Sequence, residues 1–133
     1  MISNPKFGWC EFELGDFKGT PSYLTDIPLD LLTAFIDLHS KGSGIAWFDE
    51  EGAWFSLVLT PYSIFIIEEK KEPVLIDISD MNIRQMEEEL ISDIEKELTG
   101  WSEFLTTDDK EEIQLHREEI RQKIAILRKA MGV

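Results

Sequence analysis

Residues 44–78 alternate between apolar and more polar positions with a period of two, and this pattern constrains the fold more than any other feature of the chain. Four segments carry it, and in order they read GIAWFD, AWFSLVLT, SIFIIEE and PVLIDIS. A period of two is typical of β-strands, because successive side chains point to opposite faces of a sheet. The connections EEG, TPYS and EKKEP are short and rich in turn residues, so we predict an antiparallel four-strand meander.

The segment before the meander predicts a β-hairpin over residues 6–24. In KFGWCEFEL, Cys10 and Phe12 fall on the same face of a strand. Gly15 and Asp16 then form a two-residue loop that suits a type II′ turn, because glycine tolerates the positive φ of the first loop position. The return segment FKGTPSYL contains Gly19 and Pro21, which favour an edge strand or a strand that leaves the sheet early.

One short helix is predicted between the hairpin and the meander. The segment TDIPLDLLTAFIDLHSKG carries apolar residues at helical spacing, with Thr25 or Asp26 as the N-cap and Pro28 in the first turn. Gly42 suits the C-terminal end, because glycine readily adopts the left-handed conformation found there. We expect this helix to pack its apolar face against the sheet.

Residues 80–131 carry two helical patterns separated by the segment TTDD. In the first pattern, apolar residues recur every three or four positions over residues 83–105, and Ser79 or Asp80 is the predicted cap. Gly100 is expected to end or bend this helix, because glycine is a poor helix former. We predict that the two helices form an antiparallel helical hairpin over the sheet.

The second helical pattern begins with Asp108 and Glu111 at the spacing of a capping box. An apolar stripe with heptad-like spacing follows, and it consists of Ile113, Ile120, Ile124, Leu127 and Met131. A stripe of this kind can also pair between two copies of a chain. A homodimer through the C-terminal helix is therefore one of the predicted alternatives.

Together the patterns predict an α+β fold in a single domain that spans residues 1–133. Its antiparallel sheet would consist of the N-terminal hairpin plus the four-strand meander, with one short helix inserted and the C-terminal helical hairpin packed on it. A domain of this size buries about two-thirds of the surface that its unfolded chain exposes. One hydrophobic core is therefore expected to hold the fold without a disulfide or a metal.

The net charge of −14 is the strongest indication of what the chain binds. An acidic surface repels phosphate backbones and anionic lipid, so we expect no nucleic acid and no membrane among its partners. The same charge attracts basic proteins, and a basic protein partner is the prediction. Acidity that serves only solubility is the alternative interpretation.

The cysteine content and the N-terminal segment bear on the compartment. Cys10 is the only cysteine, which excludes an internal disulfide and is compatible with the reducing cytoplasm. The longest uninterrupted apolar stretches have four residues, so neither a signal peptide nor a membrane-spanning helix is expected. We predict a cytoplasmic protein.

The chemistry-bearing residues do not form a recognisable catalytic or metal-binding pattern. Neither His39 nor His116 has a second histidine or cysteine at ligand spacing, and both are expected to be structural or interfacial. An EF-hand loop around Gly52 would begin at Trp47 and end at Val58, and neither side chain ligates calcium. We predict no catalytic residue, no metal site and no cofactor.

The segment WFDEEGAWF, residues 47–55, contains the candidate binding residues. Its acids and Gly52 are predicted to form a hairpin turn, so that Trp47 and Trp54 lie on the same face of the sheet. Helices that cover one face of a sheet leave aromatic side chains on the other, and exposed Trp and Tyr dominate protein-binding hot spots. The predicted partner-binding residues are Trp9, Tyr23, Trp47, Trp54, Asp49, Glu50 and Glu51. Burial of these aromatics by packing or oligomerisation is the alternative.

Two segments, SYLTDIPLDLLTAFIDL and FDEEGAWFSLVLT, resemble small uncharacterised bacterial α+β proteins with an N-terminal β-hairpin, a short helix and a meander. The resemblance covers roughly the first two-thirds of the chain. In size, acidity and lack of catalytic groups, the chain is also similar to immunity proteins that neutralise bacterial toxins. That similarity is one of type, and it assigns no residues.

These observations predict a non-enzymatic acidic binding protein that engages a basic protein partner, with toxin neutralisation of the immunity type as its specific form. The alternative is a small enzyme or ligand-binding domain with its site in a cavity between the sheet and the helices. In that alternative Cys10 acts as a nucleophile, and the fold has to bring a histidine next to it as a base.

Overall fold

A computed structural model describes residues 1–70 and 72–133; Lys71, in the predicted connection EKKEP, lies outside the described residues. These residues form two antiparallel sheets and four helices, which confirms the predicted α+β class. The first sheet has the strand order β1 (Ile2–Lys6), β2 (Trp9–Leu14) and β3 (Phe17–Gly19). The second has the order β4 (Gly44–Asp49), β5 (Trp54–Leu59), β6 (Ile64–Glu68) and β7 (Val74–Asp77). The helices are α1 (Ile27–Lys41), α2 (Ile83–Lys96), α3 (Leu98–Ser102) and α4 (Lys110–Met131).

The second sheet is the predicted four-strand meander, in which each strand pairs with the next one along the chain. The register of β4 and β5 sets Trp47 opposite Ser56 and Asp49 opposite Trp54. Because residues two apart share a face, Trp47 and Trp54 lie on the same side of the sheet, as predicted. The alternate residues, including Phe48, point to the other side and are fully buried.

The predicted N-terminal hairpin is correct but incomplete, because a third strand pairs with it. β2 and β3 form the hairpin, and Gly15 has a φ of 57° in the two-residue loop between Leu14 and Phe17. β3 is an edge strand, as predicted, and it ends at Gly19. The N–H of Thr20 donates to the Glu50 carboxylate over 2.9 Å, and the pairing with β2 resumes at Pro21, whose carbonyl accepts from the N–H of Cys10 over 3.1 Å. The segment that forms β1, ISNPK, contains a proline and does not alternate, so period-two reasoning overlooks it.

α1 begins and ends at the predicted residues. Asp26 is its N-cap, and its Oδ1 atom lies 3.4 Å from the backbone nitrogen of Leu29. Gly42 closes the helix in the left-handed conformation with a φ of 86°. The helix packs closely against β4, where a Cβ atom on Gly44 would overlap the backbone of Ala34. This close approach fixes the helix over the inner side of the second sheet.

The caps of the other two long helices differ from the prediction by one to three residues. Asn82 caps α2, where the sequence favours Ser79 or Asp80. Asp109 caps α4, where the capping-box spacing favours Asp108. Each error has the same cause: several neighbouring polar residues can cap a helix, and packing of the apolar face decides which of them precedes the first turn.

The single helix predicted over residues 83–105 is two helices, with a break at Glu97, where φ is −128°. Gly100 lies inside α3, not at the break, and a Cβ atom there would lie 2.7 Å from Cγ of Pro5. The glycine thus allows β1 to pack against the helix. The chain segments that form α2 and α3 pack on β1, and α4 packs mainly on α1 and α3, so the predicted helical hairpin over the sheet is correct only in part.

α4 buries much of its apolar stripe against other elements of the same chain. Ile120, Ile124 and Leu127 are buried, and α1 is the element with which α4 makes its most extensive contact. Dimerisation through this helix stays a prediction. None of the helices in the described part of the chain is both long and apolar enough to cross a bilayer.

Four buried phenylalanines, which we call the aromatic cluster, join the two sheets. They are Phe12 and Phe17 from the first sheet and Phe48 and Phe55 from the second. The ring centroid of Phe12 lies 5.3 Å from that of Phe48 and 5.1 Å from that of Phe55. Because these contacts hold the sheets face to face, the single sheet predicted from the sequence is in fact two packed sheets.

Candidate protein-binding surface

The side of the second sheet that faces away from the core carries a contiguous set of apolar side chains. We call this the outer sheet face, and it consists of Ile45, Trp47, Trp54, Val58, Phe65, Ile67 and Leu75. Ile45 is 65% exposed, Leu75 is 58% exposed and Trp47 is 45% exposed. Contiguous apolar surface marks interaction sites on soluble proteins, whereas scattered exposed hydrophobic residues are ordinary.

The strand registers place all of these side chains except Trp54, which lies opposite Asp49, in two rows that cross the whole sheet. One row consists of Ile45, Val58, Phe65 and Asp77. The other consists of Trp47, Ser56, Ile67 and Leu75. Neighbours within a row lie directly opposite each other, with Cβ atoms about 5 Å apart. The apolar surface therefore extends from β4 to β7.

Carboxylates border the outer sheet face at both ends. Asp49 lies opposite Trp54, Glu51 lies at the exposed tip of the β4–β5 turn, and Asp77 ends one row at β7. Hydrogen bonds from the side chain and the backbone of Ser79 lower the pKa of Asp77, because they stabilise the charged form. We call Asp49, Glu51 and Asp77 the acidic rim.

The β4–β5 turn gives its acids different roles. Glu51 has a φ of 56°, and its N–H donates to Oδ1 of Asp49 over 2.6 Å. Gly52 follows with a φ of 132°, which favours glycine at this position. The carboxylate of Glu50 instead accepts the hydrogen bond from the N–H of Thr20. Glu50 therefore ties the turn to the first sheet, and Glu51 is exposed.

Trp9 and Tyr23 belong to the first sheet and the segment that follows it, not to the outer sheet face. Both are exposed, and the N–H of Tyr23 donates to the carbonyl of Gly8 over 2.8 Å. Ser22 forms a β-bridge with Trp9, and its N–H donates to the carbonyl of Asp49 over 2.8 Å. The segment around Ser22 thus links Trp9 and Tyr23 to the end of β4. Of the predicted site, only the residues of β4, β5 and the turn between them lie on or beside the outer sheet face.

Sequence reasoning missed the exposed aliphatic residues Ile45 and Leu75, because an aliphatic residue in an alternating strand is normally assigned to the core. The available signal is that SIFIIEE and PVLIDIS are apolar at consecutive positions, which puts apolar residues on both faces. Phe7 was also outside the predicted site. It is 86% exposed at the β1–β2 turn and has a φ of 56°, which is unusual for a bulky residue.

The enzyme alternative requires an activated Cys10 thiol with a histidine as its base, and the surroundings of Cys10 and His39 do not supply this arrangement. Cys10 is buried, and desolvation together with the nearby charge of Glu11 raises the pKa of its thiol to about 12. Such a thiol is protonated near neutral pH and lacks the activation that a nucleophile needs. His39 Nε2 lies 2.6 Å from Oε2 of Glu87, a buried carboxyl. Burial raises the pKa of Glu87, and the hydrogen bond with His39 opposes this shift.

His116 connects three helices. Its Nδ1 atom lies 3.0 Å from the carbonyl oxygen of Ser102, and its Nε2 atom lies 2.7 Å from Oδ2 of Asp26. A carbonyl and a carboxylate can only accept, so the doubly protonated imidazolium satisfies both. Burial alone would lower the pKa of His116, but these hydrogen bonds outweigh it and raise the pKa. The residue therefore has a structural role between α4 and the N-cap of α1.

Within residues 1–70 and 72–133, no three His, Cys, Asp or Glu side chains come together in a way that could hold a metal ion. No protein-family model, curated protein or solved structure matches the chain. A functional interpretation therefore depends on the outer sheet face and the acidic rim themselves.

Proposed function

We propose that the chain is a non-enzymatic binding protein whose outer sheet face docks on a basic protein partner. The observation that carries this proposal is the exposed apolar surface around Trp47, bordered by the carboxylates of the acidic rim. Protein interfaces commonly combine an apolar centre with a polar border, and buried aromatic residues supply much of their affinity. In its specific form the partner is a toxin that the chain neutralises, as the similarity in type to immunity proteins implies.

The negative charge of the chain favours a partner with a positive net charge. A net charge of −14 accelerates association with a basic protein and opposes association with an acidic one. Salt screens exposed charges within about 8 Å at physiological ionic strength, whereas it does not weaken apolar burial in this way. The binding affinity therefore has two contributions that can be measured separately, one from the charges of the acidic rim and one from the apolar centre.

Site-specific crosslinking tests where a partner binds. A photoreactive phenylalanine analogue replaces Ile45 on the outer sheet face or, as the control, Leu115 on α4, whose side chain is 64% exposed. We expect a basic protein to be crosslinked from position 45 and not from position 115. Equal crosslinking from both positions, or crosslinking of an acidic protein from position 45, contradicts the proposal.

Variants of the outer sheet face then separate the two contributions. We expect Trp47→Ser to weaken binding of the crosslinked partner by about a hundredfold, because it removes an aromatic anchor, and Leu115→Ser to have no effect. Asp49→Asn combined with Glu51→Gln should weaken binding by about tenfold at low salt and by less at high salt. Calorimetric titration at two salt concentrations measures both effects. If none of the variants changes the affinity, the partner does not bind at this surface.

A further inference from the structure

A groove with a volume of about 910 Å³ lies between the β2–β3 turn and the end of β7. Residues 15–18 form one wall, and residues 76–78, 80 and 81 form much of the other. Trp47 and the β4–β5 turn take no part in it. The groove is therefore a second surface, and it borders the outer sheet face only at Asp77.

Both sheets end at this groove. β3 is the last strand of the first sheet and β7 is the last strand of the second, and in the described part of the chain each pairs with another strand on one side only. Phe17 and Lys18 of β3 and Ile76 and Asp77 of β7 line the groove. The free edge of a strand presents backbone N–H and C=O groups to which an extended segment can add.

β7 is the better of the two edges for such pairing. It has four residues, of which Val74 and Leu75 are exposed, whereas β3 has three residues and its Phe17 is buried in the aromatic cluster. An extended segment can therefore pair with β7 without displacing a buried aromatic side chain.

The lining of the groove combines apolar side chains with an excess of carboxylates. Phe17 and Ile78 are buried, and Met81 is half-buried against the core. The charged side chains of the lining are Asp16, Lys18, Glu68, Asp77 and Asp80. Within residues 1–70 and 72–133, four acids and one base line the groove, and this excess of negative charge attracts lysine and arginine.

We propose that this groove binds an extended segment of a partner protein in which basic residues alternate with apolar residues. The backbone of the segment adds to β7 as a further strand. Because successive side chains of a strand point in opposite directions, the apolar side chains lie toward Phe17, Ile78 and Met81, on the side of the sheet that also carries Glu68. The basic side chains lie on the side of Asp77. This binding does not require the outer sheet face, so it can be tested independently of the proposed function.

The capped hexapeptide Lys-Val-Lys-Val-Lys-Val is a suitable probe, and amide chemical shifts of the isotopically labelled chain report where it binds. We expect the largest shifts within residues 74–77. The double variant Asp16→Asn with Asp80→Asn should lower the affinity by about tenfold, because it removes two charges from the groove. The control Asp108→Asn with Glu118→Gln removes two charges from α4 and the segment before it, and should lower the affinity by less than about twofold.

A second peptide separates strand addition from simple charge attraction. Replacing the central valine with proline keeps the charge and removes one backbone N–H, so we expect binding about tenfold weaker. Trp47→Ser should leave binding of the first peptide unchanged, which distinguishes this site from the outer sheet face. The inference is overturned if both peptides bind equally, if both double variants lose affinity equally, or if about 1 mM peptide produces no shifts in β7.

Discussion

At the scale of single residues, the contact between the two sheets explains why glycine occupies position 19. A Cβ atom on Gly19 would lie 2.6 Å from Cε1 of Phe55. Phe55 is fully buried, and its ring centroid lies 5.1 Å from that of Phe12 and 5.0 Å from that of Phe17. The ring has little room to move, because protein interiors are packed nearly as densely as organic crystals.

We expect Gly19→Ala to lower the free energy of unfolding by about 2 kcal/mol, because it overpacks the aromatic cluster. Urea denaturation measures the change. In a Phe55→Leu background the same substitution should cost less, since the smaller side chain leaves space for the added methyl group. Equal costs in the two backgrounds would show that the contact with Phe55 is not what requires glycine.

His116 is expected to make the stability depend on pH. Its pKa in the folded chain is raised above the ordinary value of about 6.5, so its stabilisation is fully present below that pH and is lost as pH rises through the folded pKa. The difference in unfolding free energy between about pH 6 and about pH 9 should therefore be smaller in His116→Gln than in the wild type. Chemical denaturation across this range measures it.

Arg121→Gln is the control for this comparison, because it removes only an exposed ion pair with Glu118 on the same helix. It should keep the wild-type difference between the two pH values. If His116→Gln also keeps that difference, the imidazole does not carry the charge that its contacts with Asp26 and Ser102 favour.

At the scale of elements, sequence patterns predict the type of a segment better than its ends. The alternation over residues 44–78 and the stripe of α4 depend on many residues, so one exception does not hide them. An end depends on one or two residues, and the sequence offers both Asp108 and Asp109 before α4. The structure selects Asp109, whose Oδ1 atom lies 2.9 Å from the backbone nitrogen of Glu111.

The two neighbouring aspartates allow a matched test of this cap. We expect Asp109→Ala to lower the free energy of unfolding by about 1 kcal/mol, because it removes the acceptor for N–H groups of the first turn. Asp108→Ala removes the same charge one residue earlier and should change stability by less than about 0.5 kcal/mol. Thermal or urea denaturation distinguishes them, and the reverse order of costs would move the cap to Asp108.

Other element boundaries could not be read from local sequence, because distant residues determine them. Gly100 lies inside α3 so that Pro5 can approach, and these residues are far apart in the chain. β1 is held by α2, since the N–H of Ile2 donates to the carboxylate of Asp93 over 3.1 Å. Neither contact leaves a periodic pattern in the sequence.

At the scale of the whole molecule, the class of fold and the meander could be predicted, whereas the arrangement of the sheets could not. The two sheets meet through contacts such as that of Phe12 with Phe48, and alternation does not specify which apolar faces meet. The same limit applies to the candidate surface. Trp47 and Trp54 could be placed on one face from the turn alone, but the exposure of Leu75 depends on which face the other layers cover.

The central claim is that the outer sheet face is open in the free chain and becomes covered by a basic partner. Hydroxyl-radical footprinting of the free chain and of its complex with the partner crosslinked from position 45 tests it directly. Trp47 should be oxidised in the free chain and protected in the complex, while Leu115 on α4 is oxidised equally in both. Oxidation of Trp47 that stays unchanged when the complex forms would contradict the claim.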